Sequence, residues 1–289
     1  MDKKYIPYLF VLPSTLVLVI FYLFPLISMG ALSFTDWNMA GMNFSFVGLK
    51  NYETLLADAI FWKVVKNTFY YTFWYVLWVV VLSLPLAIWL NKNTLIHKIA
   101  QAALFSPHIV ALVSVSLIFM FMMDPDIGMF NQILGVFGIE PVGWLSNGDI
   151  AMNSLVLVSV WKSLGYYTLI FLAALQSIPK DIYEAAKMDR ANWMRTFTKI
   201  TIPNIMPTIF FVIIINIINA VQVFETINIM TEGGPANATK TLVYFIYEDG
   251  FKFFNVGRAS AAGMILFVIL VVFTFFYFRV MAKRVQYGK

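Results

Sequence analysis

Long apolar runs separated by short polar segments make up most of the chain, and this pattern predicts membrane-spanning helices. A helix needs about 20 mainly apolar residues to cross the hydrocarbon core of a bilayer. Runs of this kind occupy residues 8–32, 67–91, 99–123, 151–174, 207–227 and 259–278. We therefore expect an all-α membrane protein with six transmembrane helices, built as a single domain over residues 1–289.

The composition supports a membrane protein and excludes several kinds of site. Hydrophobic residues make up 61% of the chain and charged residues 12%, whereas soluble domains have about 25% charged residues. There is no cysteine, and two histidines are too few to form a metal centre by themselves. The phosphate-binding pattern GxxxxGK[ST] does not occur, so we expect no nucleotide site, no cofactor and no enzymatic activity in this chain.

The distribution of basic residues predicts the orientation in the membrane. Most lysines and arginines lie in the two tails and in the links after the second and fourth spans, while acidic residues are more frequent in the other loops. Cytoplasmic loops carry the excess of Lys and Arg. Both termini and the polar segment 177–206 are therefore expected in the cytoplasm. The same asymmetry explains the net charge of +5 without nucleic-acid binding.

The polar segment 177–206 is the most informative part of the chain. Its pattern predicts two short helices joined by a turn, with Ser177 capping the first helix and Asn192 capping the second. Pro203 and Pro207 are expected to end the second helix before the fifth span. A helical hairpin of this kind between two membrane spans is typical of a docking element.

This segment also carries a resemblance to a known family. Glu184-Ala185-Ala186, with the spacing of the residues that follow, resembles the EAA loop of permease subunits in binding-protein-dependent ABC importers, and most closely the sugar-permease branch. The residues that agree after the triplet are Asp189, Ala191, Phe197, Ile200 and Pro203. The flanking segments 161–165, 172–179 and 231–235 agree as well, so the resemblance covers nearly the whole chain.

One residue departs from the family pattern. The family usually has glycine where this chain has Arg190. A glycine after a short helix usually adopts a left-handed conformation, which costs other residues about 1–2 kcal/mol. Arg190 must therefore either bear that strain or let the helix end in another way.

The resemblance implies a fold, a set of partners and a mechanism. The fold would be that of a type I ABC importer permease in a bacterial inner membrane. The partners would be a second, related permease, two cytoplasmic ATPase subunits that bind ATP and Mg, and an extracytoplasmic solute-binding protein facing loops such as 231–235. Residues Glu184, Ala185, Ala186, Asp189 and Arg190 would contact the ATPase. Transport of a carbohydrate would then proceed by alternating access.

Polar residues within the fourth and fifth spans are candidates for the substrate path, because polar groups inside a bilayer are costly. The fourth span offers Lys162 and Tyr166, one helical turn apart. The fifth offers a polar residue at every third position, namely Asn216, Asn219, Gln222 and Glu225. That spacing drifts around a helix, so only neighbouring pairs should share a face. Hydrogen bonding between helices is the alternative for these residues, and Lys162 could instead pair with a carboxylate of a partner subunit.

Other functions remain open at this level. Sn-glycerol-3-phosphate is an alternative substrate, although Lys162 would be the sole basic residue facing it. An ion-driven secondary transporter would be expected to show embedded acidic relays or inverted repeats, and a membrane enzyme would need paired carboxylates or histidine clusters. Neither class explains the EAA segment.

Overall fold

The computed structural model describes residues 6–39, 41 and 44–281, and these residues are mostly helical. The helices are α1 (Ile6–Leu18), α2 (Phe24–Leu32), α3 (Lys50–Ala57), α4 (Ala59–Leu90), α5 (Leu95–Ile109), α6 (Leu112–Met122), α7 (Met129–Val136), α8 (Ala151–Gln176), α9 (Lys180–Met188), α10 (Trp193–Thr196), α11 (Ile202–Val221), α12 (Glu225–Met230), α13 (Leu242–Tyr247) and α14 (Val256–Met281). Short π-helical turns, Val19–Leu23 and Phe197–Thr201, join α1 to α2 and α10 to α11. A third such turn, Glu248–Lys252, follows α13.

Five helical stretches of the described residues are long and apolar enough to cross a membrane, and the pair α5 and α6 makes a sixth if it is one broken span. The prediction of a single helix over 99–123 is therefore wrong in its geometry. Helix α5 begins earlier, at Leu95, and α6 leaves it at an angle of 96° after a break at Val110 and Ala111. Both break residues are extended, with ψ near 139° and 135°.

The prediction that Pro203 and Pro207 separate the second loop helix from the fifth span is also wrong. The stretch Trp193–Met230 is long and apolar enough to count as one candidate span. Membrane helices tolerate proline because π-helical adjustment and other local partners satisfy the freed backbone groups. The π-helical turn Phe197–Thr201 lies almost directly before Pro203.

The chain divides into two compact units, of which the first comprises residues up to 62 together with 245–271. Within it, the amide of Asn51 donates to the carbonyl oxygens of Ser33 and Thr35 at 2.9 and 2.8 Å. Gly257 lies against the Thr35 carbonyl so closely that a Cβ atom would come within 2.0 Å of its oxygen. These contacts join the end of α2, α3 and the start of α14.

A charge cluster also stabilises the first unit. The guanidinium of Arg258 forms salt bridges with Asp58 and Asp249 and lies 5.3 Å from the ring centre of Phe245. Burial raises the pKa of Asp249 above its usual value, and the positive charge of Arg258 opposes this shift. The cluster holds the segments before α4 and around α14 together.

The second unit, residues 63–244 with 272–281, is organised around α8. Large side chains that are almost fully buried there include Tyr71, Leu155 and Phe171. Helix α8 packs against α5 at Gly165, where a Cβ atom would lie 1.8 Å from the Leu104 carbonyl oxygen. Because the neighbouring atoms are backbone, they cannot rotate away as a side chain would.

We predict that Gly165→Ala lowers the melting temperature of the purified protein. The added methyl group would overlap the backbone of Leu104, and overpacking of this kind typically costs about 1–3 kcal/mol. The matched control is Gly135→Ala in α7, where a Cβ atom meets nothing within 4 Å and helix propensity favours alanine. Equal melting temperatures for the two variants would show that the close α5–α8 contact is unimportant.

Candidate functional site

A cavity of about 400 Å³ lies within the second unit and is lined by polar and aromatic side chains. Its walls come from α4, the ends of α5 and α6 at their break, α8, and the segment where α11 gives way to α12. The lining residues are Tyr71, Tyr75, His108, Leu112, Ser159, Lys162, Ser163, Tyr167, Asn219, Ala220, Gln222, Val223, Phe224, Glu225 and Thr226.

Three members of the predicted polar stripe, Asn219, Gln222 and Glu225, line this one cavity. The expectation that only neighbouring pairs share a face assumed a continuous helix. Helix α11 instead ends at Val221, and Gln222 to Phe224 form a break before α12 begins at Glu225. In a continuous helix Glu225 would lie on a different face from Asn219. The break changes the direction of the chain and lets Glu225 line the same cavity.

Two other candidates for the substrate path, Asn216 and Tyr166, lie outside the cavity lining. Asn216 is fully buried, and its amide donates to the Val212 carbonyl at 2.8 Å, so it lies outside the cavity. Tyr166 is also outside the lining, but its ring stacks on the ring of His108, which does line it, at 4.4 Å between centres and 9° between planes. His108 thus packs on Tyr166 while it lines the cavity. Its partner Tyr166 supports the wall from behind.

Lys162 lines the cavity and also reaches the end of α5. Its ammonium group donates to the carbonyl oxygens of Pro107, His108 and Val110, at 3.4, 3.1 and 2.8 Å. A lysine ammonium has three N–H donors, so these contacts can occupy all of them.

Sequence reasoning missed the contribution of the second span. Tyr71 and Tyr75 stack at 5.9 Å with 7° between their planes, and Tyr71 donates to the hydroxyl of Ser159 at 2.7 Å. Within the same lining the amide of Asn219 donates to the hydroxyl of Tyr167 at 3.4 Å. The available signal was the i, i+4 spacing of two tyrosines inside an apolar run, which places both on one helix face.

The predicted loop over 177–206 contains α9 and α10. The prediction that Ser177 caps the first helix is wrong, because Ser177 ends α8 and its hydroxyl donates to the Ala174 carbonyl at 2.8 Å. Helix α9 instead follows Pro179. The prediction for Asn192 is confirmed, since its side chain accepts from the backbone N–H of Arg195 at 2.8 Å.

Arg190 bears the left-handed conformation, with φ of 54°. Its N–H donates to the Lys187 carbonyl and the next N–H, of Ala191, donates to the Ala186 carbonyl, both at 3.0 Å. This is the hydrogen-bond pattern of a Schellman motif, in which glycine is usual at the left-handed position. The loop therefore keeps the turn that a glycine would form, at the cost of strain at Arg190.

The five loop candidates do not share one face. Glu184, Ala185, Asp189 and Arg190 are exposed, whereas Ala186 is 5% exposed and packs inwards. Both alanines were expected to contact the ATPase, but of the two only Ala185 is on the exposed side. Ala186 serves instead as the buried contact of α9.

Large apolar side chains surround these exposed groups. Met188 is 85% exposed, Trp193 65% and Met194 57%. A hydrogen bond of 3.2 Å between the hydroxyls of Tyr183 and Thr201 connects α9 to the π-helical turn that follows α10. The loop thus presents apolar and charged side chains on a connected helical frame.

Comparison with known proteins places the chain in a family. Residues 59–287 match the family described as binding-protein-dependent transport system inner membrane component. The chain belongs to this family. It is therefore a multi-pass inner-membrane protein and a transport component, and its fold class of an all-α permease is confirmed.

Two relatives and one solved structure are similar to this chain over most of their lengths. The chain is 35% identical over 289 residues to the sn-glycerol-3-phosphate transport system permease protein UgpA of Agrobacterium fabrum, covering 99% of this chain and 98% of that protein. It is 34% identical over 274 residues to the arabinooligosaccharides transport system permease protein AraP of Bacillus subtilis, covering 94% and 87%. A chain of a bacterial alginate ABC transporter, solved in complex with an alginate pentasaccharide-bound periplasmic protein, matches with a TM-score of 0.88 at 24% identity, covering 100% and 98%.

We predict that Arg190→Gly stabilises the permease. Glycine adopts the left-handed conformation without strain but loses more chain entropy on folding, which leaves a net gain of about 0.5–1 kcal/mol. For a chain of this size that corresponds to a rise of about 1–3 °C in melting temperature. Arg190→Ala is the control, because it removes the charge and keeps the strain. The strain explanation fails if the alanine variant gains as much as the glycine variant.

Proposed function

We propose that this permease carries a neutral carbohydrate, as a mono- or oligosaccharide, through the cavity between α4, α8 and the α11–α12 break. The observation that carries the proposal is the lining of that cavity. Amide, hydroxyl and carboxylate groups are the hydrogen-bonding partners that sugar hydroxyls require, and tyrosine rings offer flat apolar faces for the C–H surface of a sugar. Asn219, Gln222, Glu225 and the tyrosines supply both.

Sn-glycerol-3-phosphate is the second candidate, because the UgpA relative is named for its transport. An anionic substrate would need a positive charge with free donors in the cavity. Lys162 is the one lysine or arginine of the described lining, and its ammonium group already donates to three carbonyl oxygens. Glu225 adds a negative charge nearby. The neutral sugar is therefore favoured.

Energy for transport would come from a separate ATPase that docks on the loop of α9 and α10. The exposed carboxylates of Glu184 and Asp189 and the exposed Met188 and Trp193 offer both charged and apolar contacts. Helix α9 follows α8 after a link of three residues, so a displacement of α9 would pass directly to the helix that lines the cavity. Alternating exposure of the cavity to the two sides of the membrane would follow from that displacement.

The other proposed partners are those expected of this transporter family. A second, related permease would complete the membrane domain, and a solute-binding protein would deliver the substrate at the outer surface. Residues 8–18 of α1 are all exposed, and the most apolar stretch of Tyr8–Leu32 is 0% buried, which leaves it accessible to lipid or a second permease. The excess of basic residues in the links and tails supports a cytoplasmic position for both termini.

The function is tested by ATP hydrolysis of the purified complex in nanodiscs, with its binding protein and a panel of carbohydrates and sn-glycerol-3-phosphate. We expect one neutral carbohydrate to stimulate hydrolysis and to accumulate in proteoliposomes. Stimulation by sn-glycerol-3-phosphate alone would replace the main proposal with the second candidate. A complex that purifies without an ATPase would contradict both.

We predict that Glu184→Lys uncouples transport from ATP hydrolysis. The reversal places a positive charge on the exposed face of α9 and weakens docking of the ATPase. Transport into proteoliposomes should fall at least about tenfold, as expected for the loss of roughly 1.4 kcal/mol of coupling. The matched control is Glu140→Lys, the same reversal at an exposed outer-loop position. Normal coupled transport by Glu184→Lys would contradict the docking role.

We also predict that Asn219→Leu and Gln222→Leu each weaken substrate stimulation. Loss of a neutral hydrogen bond costs about 0.5–1.5 kcal/mol, so the substrate concentration for half-maximal stimulation should rise about two- to tenfold, with the maximal rate less affected. Gln132→Leu, an exposed amide in α7, serves as the control. Unchanged half-maximal concentrations in both cavity variants would place the path elsewhere.

A further inference from the structure

The end of α5 is held by one face of α8, through three residues within a single helical turn. Lys162 donates to carbonyl oxygens at the end of α5, Gly165 meets the backbone of Leu104, and Tyr166 stacks on His108. Positions i, i+3 and i+4 lie on the same side of a helix. The three contacts are hydrogen bonds, close backbone packing and ring stacking. They lie on the last two turns of α5 and on Val110, which directly follows it.

The main chain at this break needs partners that α5 itself cannot provide. The last carbonyl groups of a helix have no intrahelical donor, and within a bilayer an unsatisfied one costs several kcal/mol. The carbonyls of Pro107, His108 and Val110 are in this position, and the 96° turn into α6 prevents the chain from supplying further N–H groups. Lys162 donates to all three.

Neighbouring contacts strengthen this interpretation. Pro107 has no N–H, so the Ala103 carbonyl four residues earlier lacks its helical donor, and the hydroxyl of Ser106 donates to it at 2.9 Å. A positive charge at a helix C-terminus also interacts favourably with the helix dipole. Two side chains thus satisfy carbonyl groups in the last part of α5 and at the break, Ser106 from α5 and Lys162 from α8.

We propose that Lys162 is a positioning residue that fixes the α5–α6 break, and that it does so in place of binding substrate through its ammonium group. Holding the break places His108 and Leu112 in the wall of the cavity. It also ties the end of α5 to α8, the helix that continues towards the coupling loop. The consequence for transport rests on the proposed function, but the role in holding the break does not.

The test measures the geometry of the break directly. The chain has no cysteine, so Ile99→Cys in α5 and Ile118→Cys in α6, both exposed, can be spin-labelled in a complex whose other subunits lack cysteine. Pulsed electron paramagnetic resonance then reports the distance across the break. We expect one narrow distance peak with Lys162 and with Lys162→Arg, and a broadened peak with Lys162→Met, which has no donor. Leu157→Met on an exposed part of α8 is the control and should leave the peak unchanged.

The same variants are assayed for ATP hydrolysis stimulated by the loaded binding protein. We expect Lys162→Met to lose this stimulation and Lys162→Arg to recover part of it. An unchanged narrow peak in Lys162→Met, together with lost stimulation, would overturn the inference and assign Lys162 to the substrate. If the methionine variant does not assemble, Lys162→Gln replaces it. Its amide has two N–H donors for three carbonyl oxygens, so a broadened peak is again expected, and an unchanged one overturns the inference. Failure of every sugar to stimulate the parent complex would contradict the proposed function and leave the distance result valid.

Discussion

Hydrogen bonding of the backbone in a medium without water is the constraint on which the rest of this structure depends. Irregular backbone at membrane depth is tolerated where protein buries it or where it lines a cavity. Both breaks in the second unit, at Val110–Ala111 and at Gln222–Phe224, border the same cavity. Lys162 satisfies the first, and the hydroxyl of Thr241 donates to the Val223 carbonyl at the second, at 3.3 Å. The breaks in the helices shape the cavity, and the cavity is a place in the membrane where broken helices are tolerated.

Helix α8 connects this cavity to the loop that contains α9 and α10. It is the centre of the second unit, it contributes Ser159, Lys162 and Tyr167 to the lining, and it leads into α9 through a link that contains the buried Ile178. On the other side of the loop, α10 continues through a π-helical turn into α11, which ends at the cavity. Both ends of the loop thus lead to helices that reach the cavity, so the proposed coupling needs no long flexible segment.

The loop itself shows how a turn can be retained when its usual residue is replaced. The Schellman hydrogen bonds of Arg190 and Ala191 are formed with a φ of 54° at Arg190. The strain is about 1–2 kcal/mol, which the surrounding contacts outweigh, among them the burial of Ala186 and the Asn192 cap. The guanidinium is consequently exposed where a glycine would present only backbone, and it adds a positive charge to the surface of the loop.

The sequence by itself determined the class of the protein, because spans, loop charges and the EAA spacing are local properties that hydrophobicity and chain length decide. It also indicated Asn192 as a cap and Asn219, Gln222 and Glu225 as a polar group. Only the tertiary structure decided which of these residues line the same cavity. The breaks at Val110 and Gln222, the tyrosines of α4 in the cavity wall and the three carbonyls at Lys162 all depend on distant segments. A prediction from periodicity assumes an unbroken helix. The side chains that satisfy the backbone at a break come from other helices, so the sequence of one helix does not reveal the break.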